Sequence, residues 1–294
     1  MSQKASPGTG RIYGLKQVCE IWEVPRSSIY LKRKKNSEVS LKKRRGPKPK
    51  VSDIDILEKI KEDIKGSPFK GEGHKKIHAR VRRQGDPISK NRVLRIMGEN
   101  NLLSPHRQPQ GEPNLHDGKI ITDKPNEMWG TDGIRIDTVE DGMVWGFFLI
   151  EHWNAECLGW HACKKGDAQA ALEPLKQGVK KIYGSVGSQV AQGLKLREDH
   201  GSQYTAEQYR SQLKYWGINI SYSFIQEPET NGVVERFNRT LKEQVVHGRI
   251  FKNLEEVREF IGQFIEKYNR HWILEKLGYL SPMEARRAYE KPAA

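Results

Sequence analysis

Three carboxylates stand where acids could converge on divalent ions. Asp132 lies in the strand-like stretch Trp129-Gly130-Thr131-Asp132. Asp199 comes after the strand-like Leu194-Lys195-Leu196-Arg197-Glu198, and Glu235 opens a helix behind Pro228, Asn231 and Gly232, with 35 residues between the last two acids. Hard cations such as Mg²⁺ bind carboxylate oxygens and retain water. One acid on a central strand, one at a strand end and one on a helix therefore make a candidate metal site. At about 100° per residue, Arg239 and Lys242 lie roughly +40° and −20° from Glu235, while Val234, Phe237, Leu241 and Val245 fill the opposite side. A carboxylate flanked by two cations could bind metal and phosphate side by side. Taken alone, the spacing favours an ordinary i,i+4 Glu235–Arg239 pair, worth only a few tenths of a kcal/mol. His200, in the turn after Asp199, suits orienting a carboxylate or water, and equally suits supporting the turn.

The elements that must position these acids are set by pattern. Residues 128–138 alternate, residues 144–152 form a buried apolar run, and residues 157–163 read as a third short strand, with Asp141-Gly142 as a hairpin turn between the first two. Residues 167–183 read as a helix, 194–198 as a strand, 205–216 as a helix and 218–222 as a strand, with long helices from Gly232 onwards. Three consecutive strands and then alternating helices and strands describe a mixed sheet with helices on its faces.

Charge separates this region from the residues before it. The chain of 294 residues carries a net +14, yet residues 1–126 hold 29 Lys and Arg against 14 acids, while residues 127–294 hold 22 against 23. A basic half joined to a neutral half suggests a polyanion-binding module attached to something else. Residues 14–35 fit a small helix-turn-helix: Leu15, Val18, Cys19 and Trp22, then Val24-Pro25-Arg26-Ser27-Ser28, then Ile29 and Tyr30 in a second helix opened by a Ser cap. Residues 32–50 hold ten basic residues and one acid, a flexible linker in which Arg44 and Arg45 attract phosphates. Ile54, Leu57, Ile60 and Ile64 mark an amphipathic helix. Ile77 and Val81, then a Gly85-Asp86-Pro87 break, then Ser89 capping a helix with Val93, Leu94 and Met97, fit a second helix-turn-helix. Lys75, Lys76, Arg80 and Arg92 are its candidate DNA contacts. His74 and His78 have helical metal spacing but no cysteine pair at zinc-finger distance, so they read as surface or core histidines.

The expected domains are therefore 1–36, a helix-turn-helix; 37–53, a basic linker; 54–103, a DNA-binding helical region; 104–126, a linker with four prolines; and 127–294, the core with its C-terminal helices. The longest apolar run, residues 144–150, is about a third of the roughly 20 residues a bilayer crossing needs. Residues 1–10 lack a signal-peptide segment. A cytoplasmic, nucleoid-associated protein without membrane contact is expected. Cys19, Cys157 and Cys163 are too few and too scattered for a disulfide framework, and read as small hydrophobes.

The motifs taken together are more specific than any one. Trp129-Gly130-Thr131-Asp132, Glu198-Asp199-His200-Gly201-Ser202-Gln203-Tyr204 and Thr230-Asn231-Gly232-Val233-Val234-Glu235-Arg236-Phe237-Asn238-Arg239-Thr240-Leu241-Lys242 resemble the integrase-like transposases of bacterial insertion sequences. Within these, the chain resembles the type-three family and the product of its second reading frame. Tyr268-Asn269 and Leu280-Ser281-Pro282-Met283-Glu284-Ala285 are similar to the family's ending. The resemblance spans roughly residues 50–290. It implies an α/β, ribonuclease-H-like fold with a mixed five-stranded sheet flanked by helices, preceded by small all-α helix-turn-helix segments. It also implies a triad of Asp132, Asp199 and Glu235 holding two Mg²⁺ ions, with Mn²⁺ as a substitute. The implied activity is cleavage of transposon ends and attack by the freed 3′-hydroxyl on target DNA. The implied partners are double-stranded DNA, further copies of the chain on DNA, and a first-reading-frame protein or fusion. Gly71-Glu72-Gly73-His74-Lys75-Lys76 departs from the family's Tyr-Gly-Tyr-Arg-like stretch, and the zinc-binding His-His-Cys-Cys module of retroviral integrases is absent.

Three rivals share parts of this pattern. A transcription regulator would use the helix-turn-helix segments without needing the acids. A ribonuclease H would share fold and metals without needing two basic modules. A catalytically inactive, DNA-binding regulator derived from a transposase would keep both.

Overall fold

The computed structural model describes residues 4–37, 50–105, 122–199, 201–222 and 232–291. The chain divides into two compact units, residues 1–50 and 51–294. The first holds α1 (Leu15–Ile21) and α2 (Arg26–Ser37). Cys19 is buried there, whereas Ile21, Trp22, Tyr30 and Leu31 are exposed. The helix opening differs from expectation: α2 starts at Arg26, directly behind Pro25, and not at a serine cap. Proline lacks an N–H and its fixed φ suits entry into a helix. Ser28 N donates to Pro25 O at 3.0 Å instead.

The second unit begins with three helices: α3 (Asp53–Gly66), α4 (His74–Arg83) and α5 (Lys90–Glu99). Ser52 and Asp55 form a capping box on α3, and Ser89 accepts from Arg92 N to cap α5. Two expected apolar faces need correction. In α3 the buried residues are Ile56 and Ile60, while Ile54 is 70% exposed and Ile64 37%. In α5 Ile96 joins Val93 and Met97 in the core, and Leu94 is 39% exposed. Each helix turns the side that meets Ile77 and Val81 of α4. An apolar residue just off that side stays in water because a neighbouring helix covers only one stripe.

The helical trio is tied to the C-terminal helices of the same unit. Phe69, between α3 and α4, is buried with its ring 4.8 Å from Trp272 and 6.4 Å from Phe264. Lys70 N donates to Gln244 Oε1 at 3.0 Å, and Gln244 Nε2 returns a bond to Lys70 O at 2.8 Å. Arg83 donates to Tyr279 O at 2.7 Å.

The sheet has strands β1 (Met128–Thr138), β2 (Gly142–Glu151), β3 (Cys157–Cys163), β4 (Lys195–Glu198) and β5 (Asn219–Tyr222) in the order β3-β2-β1-β4-β5. The first three pair antiparallel, and β4 and β5 run parallel to β1. Alternation along the strands sends Trp129, Phe147 and Leu149 to one face and Ile134, Ile136, Phe148 and Ile150 to the other. The first face is covered by α6 (Ala168–Tyr183), the short α7 (Ser202–Thr205) and α8 (Glu207–Trp216). The second is covered by α9 (Gly232–Leu241), a π-turn over Lys242–Val246, and α10 (Leu254–His271). At Gly159 of β3 an added Cβ would meet Pro174 O of α6 at 2.1 Å, so only glycine allows α6 to pack this closely. The last helix, α11 (Pro282–Glu290), is held by Asn154 Nδ2 donating to Pro282 O and by Arg286 paired with Glu156. This strand order, with three antiparallel strands, two parallel ones and helices on both faces, is the ribonuclease-H-like arrangement.

Candidate active site

Strand register brings two of the three acids together. Gly130 of β1 pairs with Arg197 of β4. Continuing two residues along each parallel strand sets Asp132 beside Asp199. Asp132 Oδ1 accepts from Gly133 N and its Oδ2 from Asn238 Nδ2, each at 2.7 Å, and Asp199 Oδ1 accepts from Gly201 N at 2.9 Å. Burial raises the Asp132 carboxyl above the ordinary carboxylate range, and the charge of Asp199 adds to this. The Gly133 N–H, the Asn238 amide and the Lys242 ammonium offset only part of the shift. Behind the pair, Glu198 is fully buried and accepts from Tyr209 Oη at 2.8 Å; burial pushes it up to about 7.

Glu235 is exposed in the first turn of α9, three residues before Asn238. The apolar stripe expected on this helix is buried at Val234, Phe237, Leu241 and Val245, which turns Glu235, Arg239 and Lys242 outward. Among the described residues no three His, Cys, Asp or Glu side chains lie close enough to hold an ion. The fold thus gathers Asp132 and Asp199 and lashes α9 to Asp132, without closing Glu235 onto them. The donor chemistry nonetheless fits a hard cation. Two neighbouring carboxylates repel until a cation lies between them, and Asn238 Oδ1 is a buried oxygen with no partner among the described residues.

The basic residues divide into two groups. Arg239 makes no ion pair among the described residues, so the ordinary Glu235–Arg239 pair is not formed there. Lys242 lines a cleft of about 610 Å³ together with Asp199, Ser202, Gln203, Arg135 and Trp145. Those of the helical trio are held by protein groups instead. Arg80 meets Asp63 and Glu72, each at 2.8 Å, and Arg92 meets Asp53 at 2.7 Å. Lys75 meets Glu275 at 2.8 Å, and Lys76 lies 3.0 Å from the centre of the Trp272 ring. His78 bonds to Ile88 O at 3.0 Å, a structural role. Arg44, Arg45 and His200 lie outside the described residues.

Asn238, Arg135 and Trp145 are site residues that the sequence patterns did not single out. Asn238 had a readable signal. It is a polar residue on the edge of a buried helical stripe, and such a group needs a partner.

The family model described as an integrase core domain matches residues 216–282, the stretch carrying α9 and α10. Over that stretch the chain is similar to integrase cores, and over most of its length it is similar to insertion-sequence transposases. The transposase for insertion sequence element IS629 of Shigella sonnei is 24% identical over 245 residues, 80% of each chain. The InsK protein of insertion sequence element IS150 in Escherichia coli (strain K12) is 26% identical over 287 residues, 94% of each chain. Among solved structures, the simian T-cell lymphotropic virus intasome in complex with PP2A regulatory subunit B56 gamma aligns at 13% identity and a TM-score of 0.46. That alignment covers 80% of this chain and 76% of that one. The integrase-core match includes Glu235, Asn238, Arg239 and Lys242, while Asp132 and Asp199 lie outside it. No helix among the described residues is long and apolar enough to cross a membrane.

Proposed function

We propose that this chain is a transposase of the DDE type, a polynucleotidyl transferase that cuts DNA at insertion-sequence ends and joins the freed 3′-ends to target DNA. The observation that carries the reading is the Asn238–Asp132 bond: it ties the helix bearing Glu235 to the strand bearing Asp132, beside Asp199. Asp132, Asp199 and Glu235 are the groups that would hold two Mg²⁺ ions, or Mn²⁺ in their place. Bound there, such ions supply activation of water or a 3′-hydroxyl and neutralise charge on the departing oxygen. The protein's own part is positioning. Asn238 fixes the orientation of one carboxylate, and Asp132 must be ionised to ligate. Arg239 and Lys242 face the solvent side of α9, where a DNA backbone would pass.

The same reading assigns double-stranded DNA as partner, several copies of the chain on DNA, a first-reading-frame protein or fusion, and a cytoplasmic site of action near the nucleoid. It divides labour between a helical region at 54–103 and a core at 127–294. The test is Asp132→Asn, Asp199→Asn and Glu235→Gln in a strand-transfer assay with labelled DNA ends. Each should abolish cleavage and joining while DNA binding persists. A mutant that keeps more than a few per cent of activity removes its residue from the triad. A wild-type chain that binds DNA without cutting is the inactive regulator instead.

A further inference from the structure

Strand β4 pairs with β1 only over residues 128–130, and further along β1 the next chain beside it is Phe251, bridged to Thr138. Between these two points the edge of β1 carries no strand among the described residues. The cleft of about 610 Å³ wraps around this open edge. Lys242 enters it from the α9 side of the sheet, and Asp199 stands where β4 ends and the edge opens. Arg135 and its cross-strand partner Trp145 enter from the opposite face, the one that α6, α7 and α8 cover. The Trp145 indole is already packed. Its ring lies parallel to that of Phe147 within 4° at 5.6 Å, and Gly166 is so close that an added Cβ would come 2.6 Å from it. The Arg135 guanidinium lies over the indole, 4.7 Å from the ring centre. The indole is thus a fixed seat for a cation. Arg135 is exposed, and it makes no hydrogen bond or ion pair among the described residues. A cation–π contact uses the charge of a guanidinium and leaves its N–H donors unspent. The Asp132 carboxylate does not take them up, because it faces α9 and bonds to Asn238 on the other side of the sheet.

We propose that Arg135 grips a DNA backbone phosphate on the far side of the β1 edge from Lys242, and that Trp145 is the positioning residue that holds it there. A strand crossing the open edge passes Asp199 with a cation on either side. Arg135 is three residues along β1 from Asp132, roughly 10 Å at ~3.3 Å per residue. At ~3.4 Å of rise per nucleotide this is about three steps, so the phosphate gripped is a neighbour of the reacting one. A guanidinium fork meets two phosphate oxygens at once, and a fork already held by a ring loses less freedom in doing so. Such a contact fixes register and carries no sequence information. A carboxylate of a protein partner would fit the same fork, and the experiment separates the two. The assignment rests on the proposed DNA-processing function and adds to it a contact on the opposite face of the sheet from α9.

The experiment uses the full chain and a duplex of the element's own end, without divalent metal so that no chemistry occurs. Each phosphate around the cleavage point is replaced in turn by an uncharged methylphosphonate. On the unmodified end, Arg135→Ala should lower affinity about tenfold, the effect of losing a charge-assisted bond. The slope of log affinity against log salt should become shallower by about 0.9, the share of one phosphate. Arg135→Lys should keep the slope and recover only part of the affinity, since an ammonium has no fork. The difference between wild type and Arg135→Ala should vanish on the end neutralised at one phosphate, and that phosphate should differ from the one coupled to Lys242→Ala. Trp145→Leu should weaken the same single coupling, and Trp145→Phe should retain it; if Trp145→Leu fails to fold, the exposed Arg135 variants decide alone. Wild-type affinity and slope in Arg135→Ala overturn the assignment. So does a loss that persists whichever phosphate is neutralised, the result expected if the fork serves a protein carboxylate or another part of the DNA. Coupling to one phosphate combined with cleavage that survives Asp199→Asn would sink the proposed triad and leave the contact standing. A wild-type chain that binds no DNA sinks both.

Discussion

Asn238 Nδ2 donates to Asp132 Oδ2 at 2.7 Å across 106 residues of chain, from the second turn of α9 to the middle of β1. This bond favours the ionised form of a carboxyl that burial pushes the other way. Asn238→Ala should therefore raise Asp132 further and move the acid limb of the pH–rate profile to higher pH. A hydrogen bond to a charged group contributes about 1.5–3 kcal/mol, so the joining rate at neutral pH should fall roughly 10- to 100-fold. An unchanged profile would mean that the Asp132 carboxylate needs no partner on α9.

Arg239→Ala and Lys242→Ala should each lower strand transfer about tenfold while leaving metal affinity nearly unchanged. Both are cationic and exposed, so they repel Mg²⁺ and serve the phosphate side. Unfolding free energy should move by less than about 0.5 kcal/mol, because no ion pair of Arg239 is lost. Wild-type joining rates in both would show that this side of α9 does not touch substrate.

Phe69→Ala should destabilise the chain by about 3–5 kcal/mol in urea denaturation, the usual range for truncating a buried phenylalanine. The ring is 6% exposed and packs edge-on to Trp272, so its loss opens a cavity between the helical trio and α10. A change below about 1 kcal/mol would mean that residues 53–99 dock on the core by their polar contacts alone.

His152 is 5% exposed, and neither ring nitrogen has a hydrogen-bond partner among the described residues. Burial, reinforced by the charges of Lys276 and Arg197, lowers it from 6.5 to about 4. The unfolded chain takes up the proton first as pH falls. The stability linked to the neutral ring is therefore complete above about pH 6.5 and is lost progressively towards pH 4. A shift of this size corresponds to roughly 3 kcal/mol. His152→Gln should be flatter than the wild type over that window in chemical denaturation at stepped pH. Parallel curves would assign the acid sensitivity to other groups.

The features legible in the chain are those that depend on neighbours in sequence. Alternation located β1, a continuous apolar run located β2, a short strand-like stretch located β3, and Ser89 marked the start of α5. The stripe Val234, Phe237, Leu241 and Val245 assigned Glu235, Arg239 and Lys242 to the outer side of α9, because a helix must bury its apolar side whatever it packs against. Motif spacing pointed to Asp132, Asp199 and Glu235. Only tertiary structure decided which groups meet. The β1–β4 register brings Asp132 to Asp199, and α9 packs at the height that lets Asn238 reach Asp132. Trp272 and Gln244 receive Phe69 and Lys70 from some 200 and 174 residues away. That docking also explains Lys75 and Lys76, which composition offered to DNA and the fold sets against Glu275 and Trp272, while Arg80 and Arg92 meet Asp63 and Asp53 within the helical trio. A basic side chain has the same sequence signature whether its anion is a phosphate or a carboxylate. Which one it meets depends on chain brought near in space, and no local pattern encodes that.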